Sequence, residues 1–284
     1  MTTASPITLE PRTPAVGFGD WLDVRRMSQT SLLDGRLLMW FSMGAASACM
    51  LKICAHLKPM AVYCNTAKDE HPDNLRFRKE VEAWTGIKVT VIGSDKYETT
   101  DEVFEDTQYM SGIGGARCTT ELKKIPRLRF AYCEDVHCFG MTVDEQKRIK
   151  QFASNNHDLN LAWPLVQAGM TKPDCLKMLT AAGIELPMMY RLGFENNNCI
   201  GCVKAQSPHY WNLTRKNFPE RFRQRAEQSR RLGVRLVKVK GERIFLDELP
   251  EDEAEKLNED LSCGPQCGEA RTSNAGTERT AADK

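Results

Sequence analysis

From residue 37 onward the chain alternates short apolar runs with segments of helical length. Residues 37–42 (LLMWFS) form a buried-strand run, 43–47 (MGAAS) a turn of small residues, and 48–57 an apolar segment long enough for a helix. A second strand is predicted at 60–64, a helix over 74–84 and a third strand at 88–92. Further on, 135–140 reads as a strand and 144–154 as a helix, while 117–130 (RCTTELKKIPRLRF) reads as a helix with its Lys and Arg on one side. Strands alternating with helices imply crossover connections and a parallel sheet. The expected class is therefore α/β, a three-layer sandwich around a mostly parallel sheet, with a small Cys-containing C-terminal subregion.

The flanks differ from this core. Residues 1–30 are Pro- and Thr-rich, then amphipathic around Trp21 to Met27, and read as an arm with a short helix. The predicted organisation is an arm (1–30), a nucleotide-binding core (31–160), a helical, basic, metal-binding region (161–268) and a disordered tail (269–284). The apolar run from Leu37 to Ile53 is broken by Ser42, Gly44, Ser47 and Lys52, short of the roughly 18–20 clean residues a membrane span needs. No secretory leader pattern opens the chain, so a cytoplasmic protein without a membrane partner is expected.

Lys and Arg total 39 against 38 Asp and Glu, so the overall charge points to no partner. Its distribution does. Residues 215–243 carry eleven Lys or Arg against three Glu, interleaved with Phe218 and Phe222 and preceded by Tyr210 and Trp211. That combination suits phosphates and stacked bases, although aromatic residues at helical spacing equally describe a core-facing stripe. An acidic stretch, 247–260, follows and can offset the basic one.

Two groups carry chemistry. Small residues between a strand and a helix, Ser42 to Ser47, let backbone N–H groups approach phosphate oxygens at a helix N-terminus, or else serve close packing alone. The turn is not a Walker A loop, since no Gly-Lys-Ser/Thr follows. Eleven cysteines in a chain of this kind point to metal or catalysis rather than disulfides. The pairs Cys199/Cys202 and Cys263/Cys267 supply four sulfurs, enough for zinc or an iron–sulfur cluster, and Cys118 after a Gly-rich loop is a fifth candidate. Cys49, Cys54 and Cys64 sit in apolar runs and read as small hydrophobes.

With these landmarks in order, the chain resembles the phosphoadenosine phosphosulfate (PAPS) reductase family of the PP-loop, adenine-nucleotide α-hydrolase superfamily. Ser42–Ser47 stands where that family has Ser-Gly-Gly-Lys-Asp-Ser, and Cys64-Asn65-Thr66 matches a strand end that usually carries Asp-Thr. Arg117-Cys118 with Lys123 and Lys124 resembles a Cys-x-x-x-Lys segment. Residues 140–148 resemble a Gly-x-Arg-containing segment, and Trp163-Pro, Pro187, Tyr190 and Gly193 lead to Cys199-x-x-Cys202.

The resemblance implies ATP or PAPS bound with Mg2+ by Ser42, Gly44, Ala45, Ser47, Asn65, Thr66 and Gly140. It implies catalytic charge neutralisation by Lys123, Lys124 and Arg148. An iron–sulfur cluster, [4Fe–4S] in preference to zinc, would be held by four of Cys118, Cys199, Cys202, Cys263 and Cys267. The implied activity is ATP pyrophosphatase-type activation for sulfur transfer to DNA or tRNA, with a sulfur donor such as a cysteine desulfurase. A PAPS or adenylyl-sulfate reductase and a non-catalytic nucleotide- or nucleic-acid-binding protein are the alternatives. Two departures matter: Ala45 and Ala46 replace the family's Lys and Asp, and Cys263-Gly-Pro replaces its C-terminal Glu-Cys-Gly-Leu-His nucleophile.

Overall fold

The computed structural model describes residues 35–112 and 115–257. The N-terminal arm, the tail, Cys263 and Cys267 lie outside the described residues. Strands β1 (Leu37–Trp40), β2 (Met60–Cys64), β3 (Val89–Ile92), β4 (Val136–Phe139) and β5 (Asn160–Ala162) form one sheet, ordered β3-β2-β1-β4-β5 and parallel throughout. The two-residue periodicity of a strand sends Met39 and Phe41 to one face and Leu38 and Trp40 to the other.

On the first face lie helices α1 (Ala45–Ile53) and α2 (Asn74–Thr85). Cys49, Phe77 and Val81 join Met39 there in one core, together with Cys175 and Leu179 from a later helix at Lys172–Ala181. On the second face Trp40 and Phe139 pack with Ile149 and Phe152 of the helix Gln146–Asn155, and with Trp163. These three layers agree with the predicted class. A separate core built on Phe104, Trp211, Phe222 and Val237 joins the helices Thr100–Thr107, Pro208–Asn217 and Pro219–Arg231.

The strand order reverses beside β1, whose neighbours are β2 and β4. Open parallel sheets bind ligands at such a switch point, outside the carboxyl ends of the strands. The loop after β1 and the first turn of α1 carry Ser42–Ser47, the loop after β4 carries Gly140, and the two touch. A Cβ on Gly140 would lie 2.7 Å from Ser47 Cα and 2.8 Å from its backbone N. Only glycine permits that approach.

The 117–130 segment departs from the expected single amphipathic helix. A helical turn at Arg117–Thr119 runs into a π-helical stretch, Thr120–Lys124, before a short α-helix, Ile125–Phe130. The extra residue per turn breaks the 3.6-residue period that would keep Lys and Arg on one side, and Lys123 and Arg127 are buried.

His137 on β4 is 1% exposed and accepts a hydrogen bond at Nδ1 from Trp40 Nε1, 3.1 Å away. Burial, reinforced by the positive charge of Arg127, pushes its pKa down to about 4. The folded imidazole therefore stays neutral where the unfolded one begins to take up a proton near 6.5. Stability is full above that value and declines as pH falls toward 4, by about 3 kcal/mol over the window. Urea midpoints measured from pH 7 to 4 should show this decline, and His137→Phe should flatten it.

Candidate functional site: a phosphate-type loop beside a thiol cavity

Ser42 leaves β1, and Met43 then takes a left-handed φ of 58° that a residue bearing a Cβ adopts only when its surroundings enforce it. Two contacts do so: the Met43 side chain is buried, and its carbonyl accepts a 2.7 Å bond from Asn197 Nδ2. The hydroxyl of Ser47 closes the turn by donating to Gly44 O at 2.9 Å and accepting from Ser42 N at 3.2 Å. Gly44 is the N-cap of α1, and no side chain caps that helix. The Tyr190 hydroxyl stands 3.4 Å from Ala45 N. Ser42 and Gly44 are partly exposed, whereas Ala45 and Ser47 are buried, so backbone and Ser42 form the accessible part of the loop.

At the end of β2, Asn65 is exposed and Thr66 is buried. Thr66 points inward, its hydroxyl donating to Glu70 Oε1 at 2.6 Å. Glu70 in turn accepts from Asn74 Nδ2 at 2.8 Å, and Asn197 Nδ2 reaches Asn74 Oδ1 at 2.8 Å. One chain of hydrogen bonds thus runs from Thr66 through Glu70, Asn74 and Asn197 to the carbonyl of Met43. Each link is buried, where an unmade bond is costly, so the network fixes the two loops relative to one another.

Asn197 stands two residues before Cys199. The turn Cys199–Cys202 places Gly201 at a φ of 69°, which favours glycine. The buried Tyr210 hydroxyl spans the turn, accepting from Cys202 N at 2.8 Å and donating to Cys199 O at 3.2 Å. Removing that oxygen in Tyr210→Phe leaves a buried N–H without an acceptor. The expected cost is about 1–3 kcal/mol, read as a lower urea midpoint at unchanged slope.

Cys118, Cys199 and Cys202 line one narrow cavity of about 20 Å³, together with Thr66, Lys123, Lys204 and Arg225. The described cysteines form no disulfide. Three thiols facing three buried cations suit the donor chemistry of a thiolate-ligated centre, since the cations offset the negative charge the sulfurs would carry. Among the described residues, however, no three His, Cys, Asp or Glu side chains are grouped closely enough to hold a metal ion. Cys263 and Cys267, the other two expected ligands, lie outside the described residues.

The structure therefore brings Cys118, Cys199, Cys202, Lys123 and Thr66 to one cavity, and Ser42, Gly44, Ala45, Ser47 and Gly140 to one loop junction. Lys124 and Arg148 do not line the cavity; Arg148 is ion-paired with Glu145, the residue just before its helix. The aromatic residues of the basic segment face the core, Phe218 only partly buried against it. Trp211, Tyr210 and Phe222 belong to the second core, as their helical spacing allowed. Four of its arginines are engaged with acidic partners: Arg221 with Asp69, Arg225 with Asp101, Arg230 with Asp247 and Arg231 with Glu105. The base-stacking face expected of 208–243 is not formed by these side chains. The Asn197, Tyr210 and Arg221 contacts carried no sequence signal, because each joins segments far apart in the chain.

No protein-family model matches the chain, and no curated protein matches it. Among solved structures, it is similar to a crystal structure of phosphoadenylyl-sulfate (PAPS) reductase from Candida auris in complex with phosphate. The identity is 13% and the TM-score 0.45, with 62% of this chain and 91% of that chain covered. No helix among the described residues is long and apolar enough to cross a membrane.

Proposed function

We propose that this chain is a nucleotide-dependent enzyme of sulfur chemistry, akin to the PAPS reductases, that splits ATP between its α and β phosphates to activate an acceptor for sulfur transfer. The observation that carries this reading is the shared position of Thr66. It follows β2, the neighbour of the strand that leads into the Ser42–Ser47 turn, and also lines the cavity that holds three thiols.

In this reading ATP arrives as its Mg2+ complex, and the Ser42 hydroxyl and the backbone at Gly44 and Ala45 receive its phosphates at the start of α1. With no Lys or Asp in the loop, positive charge comes from Lys123, and from Lys124 and Arg148 if substrate draws them in. An acceptor oxygen attacks the α-phosphorus, pyrophosphate leaves, and a sulfur nucleophile then displaces AMP at the activated carbon or phosphorus. Positioning and charge neutralisation suffice for the first step, which needs no covalent protein nucleophile.

The sulfur side belongs to Cys118, Cys199 and Cys202, completed by Cys263 or Cys267. An iron–sulfur cluster held there would supply sulfur or electrons. The acceptor in this reading is DNA or tRNA, and a cysteine desulfurase is a suitable donor.

Anaerobically purified protein given ATP, acceptor and sulfide tests the proposal. AMP and pyrophosphate in equal amounts support it. Sulfite released from PAPS or adenylyl sulfate would assign a reductase instead, and nucleotide binding without turnover would assign a binding protein.

A further inference from the structure

Arg221 lies in the segment whose charge first suggested nucleic acid, yet its guanidinium faces inward. Its Nη2 donates to Asp69 Oδ1 at 2.9 Å and to Thr100 Oγ1 at 3.1 Å, its Nη1 pairs with Asp101, and its Nε donates to the carbonyl of Ile200 at 3.2 Å. Ile200 lies inside the Cys199–Cys202 turn. Its own N–H donates to the carbonyl of Asp69 at 2.8 Å. The stem of Arg221 also floors the turn, since a Cβ on Gly201 would meet Arg221 Cγ at 3.4 Å.

Asp69 belongs to the loop that follows β2. Its backbone N–H donates to Thr66 O at 3.0 Å, so it is one turn from the proposed nucleotide edge. Asp69 is buried and receives three side-chain-directed bonds, from Thr100 N, Thr100 Oγ1 and Arg221. A carboxylate so fully bonded moves with its partners or not at all. Arg221 is the one side chain in this set that bonds both Asp69 and the cysteine turn.

We propose that Arg221 is a positioning residue that fastens the Cys199–Cys202 turn to the Asp69 loop, so that nucleotide at Asn65 and Thr66 is felt by the cysteine turn. The inference rests on the nucleotide reading above. Arg221 touches neither nucleotide nor sulfur in this role. It is a planar fork that bridges a carboxylate and a carbonyl at once, which a lysine cannot reproduce.

Hydrogen exchange tests it in the full-length, anaerobically isolated protein. The peptide covering residues 197–205 reports the Ile200 N–H bonded to Asp69 and the Cys202 N–H bonded to Tyr210. In the wild type, saturating Mg-ATP should slow its exchange roughly fivefold or more, the lower end of measured couplings between sites. In Arg221→Gln the nucleotide-dependent slowing should vanish while calorimetric ATP affinity stays within roughly threefold, a shift below 1 kcal/mol. Arg221→Lys should restore only part of it, and Asp69→Asn, which opens the same junction from the other side, should behave as Arg221→Gln does. A purely structural arginine would change basal exchange but leave the ATP-dependent difference in place, and that result overturns the proposal. So does a wild type that binds ATP without any change in this peptide. Absence of ATP binding by the wild type would instead remove the nucleotide reading, and this inference with it.

Discussion

Gly140→Ala is expected to destabilise the protein by about 1–3 kcal/mol, the usual cost of forcing a methyl group into a packed site. ATP affinity should fall with it. The new Cβ would stand 2.7 Å and 2.8 Å from backbone atoms of Ser47, not from the end of a flexible side chain. Relief requires α1 to back away from the end of β4, and with it the amides at Gly44 and Ala45. Because a displacement of about 1 Å can cost a hundredfold where geometry is tight, a loss of at least roughly tenfold in ATP affinity is expected. Urea unfolding gives the first quantity and titration calorimetry the second. Gly44 makes an instructive contrast: a Cβ there meets only Ser42 Oγ and Tyr190 OH, both at 3.5 Å, so alanine fits without moving the backbone.

The paired replacement Cys199→Ser/Cys202→Ser should separate the two halves of the reaction. Serine preserves size, and the turn keeps Gly201 and its bonds to Tyr210 and Arg221, so the fold and ATP affinity should survive. Sulfur transfer should fall by roughly a thousandfold or more, since the proposal makes these thiols chemical participants rather than packing contacts. Iron and acid-labile sulfide in the anaerobic protein should fall together, because the proposed ligand is thiolate and a hydroxyl is a poor substitute for it. Zinc in place of iron in the wild type would leave the site intact and make its role structural. A double variant that retained both iron and sulfur transfer would dismiss these cysteines from the chemistry.

Much of the fold was legible because its signals are local. The strand at Met60–Cys64 falls where its apolar run lies, and β1 and β3 differ from the expected spans by one or two residues at their ends. Gly140 could be singled out by resemblance, but its reason, contact with Ser47 from a strand nearly a hundred residues away, needs the sheet order. The π-helical stretch at Thr120–Lys124 has no composition that announces it, and it carries Lys123 in a buried position.

The cysteines show the same division. Their spacing marked Cys199 and Cys202 as a pair, and its place after a Gly-rich loop marked Cys118. What clamps them, the Tyr210 hydroxyl across the turn and Arg221 beneath it, is tertiary. The segment 208–243 was ambiguous for a physical reason: aromatic residues at helical spacing among arginines describe a base-stacking surface and a core edge equally well. Burial of Trp211 and Phe222, and the carboxylates that meet the arginines, decide for the core.

The central claim is that nucleotide phosphates sit on the turn between β1 and α1. Titration of Mg-ATP into wild-type protein and Gly44→Val tests it most directly, with thermal unfolding of both as the control for folding. The branched side chain adds bulk beside Ser42 and Tyr190 at the accessible face of the turn, so the account predicts that ATP binding is lost while the unfolding midpoint stays close to that of the wild type. Equal ATP affinity in the two proteins would contradict it.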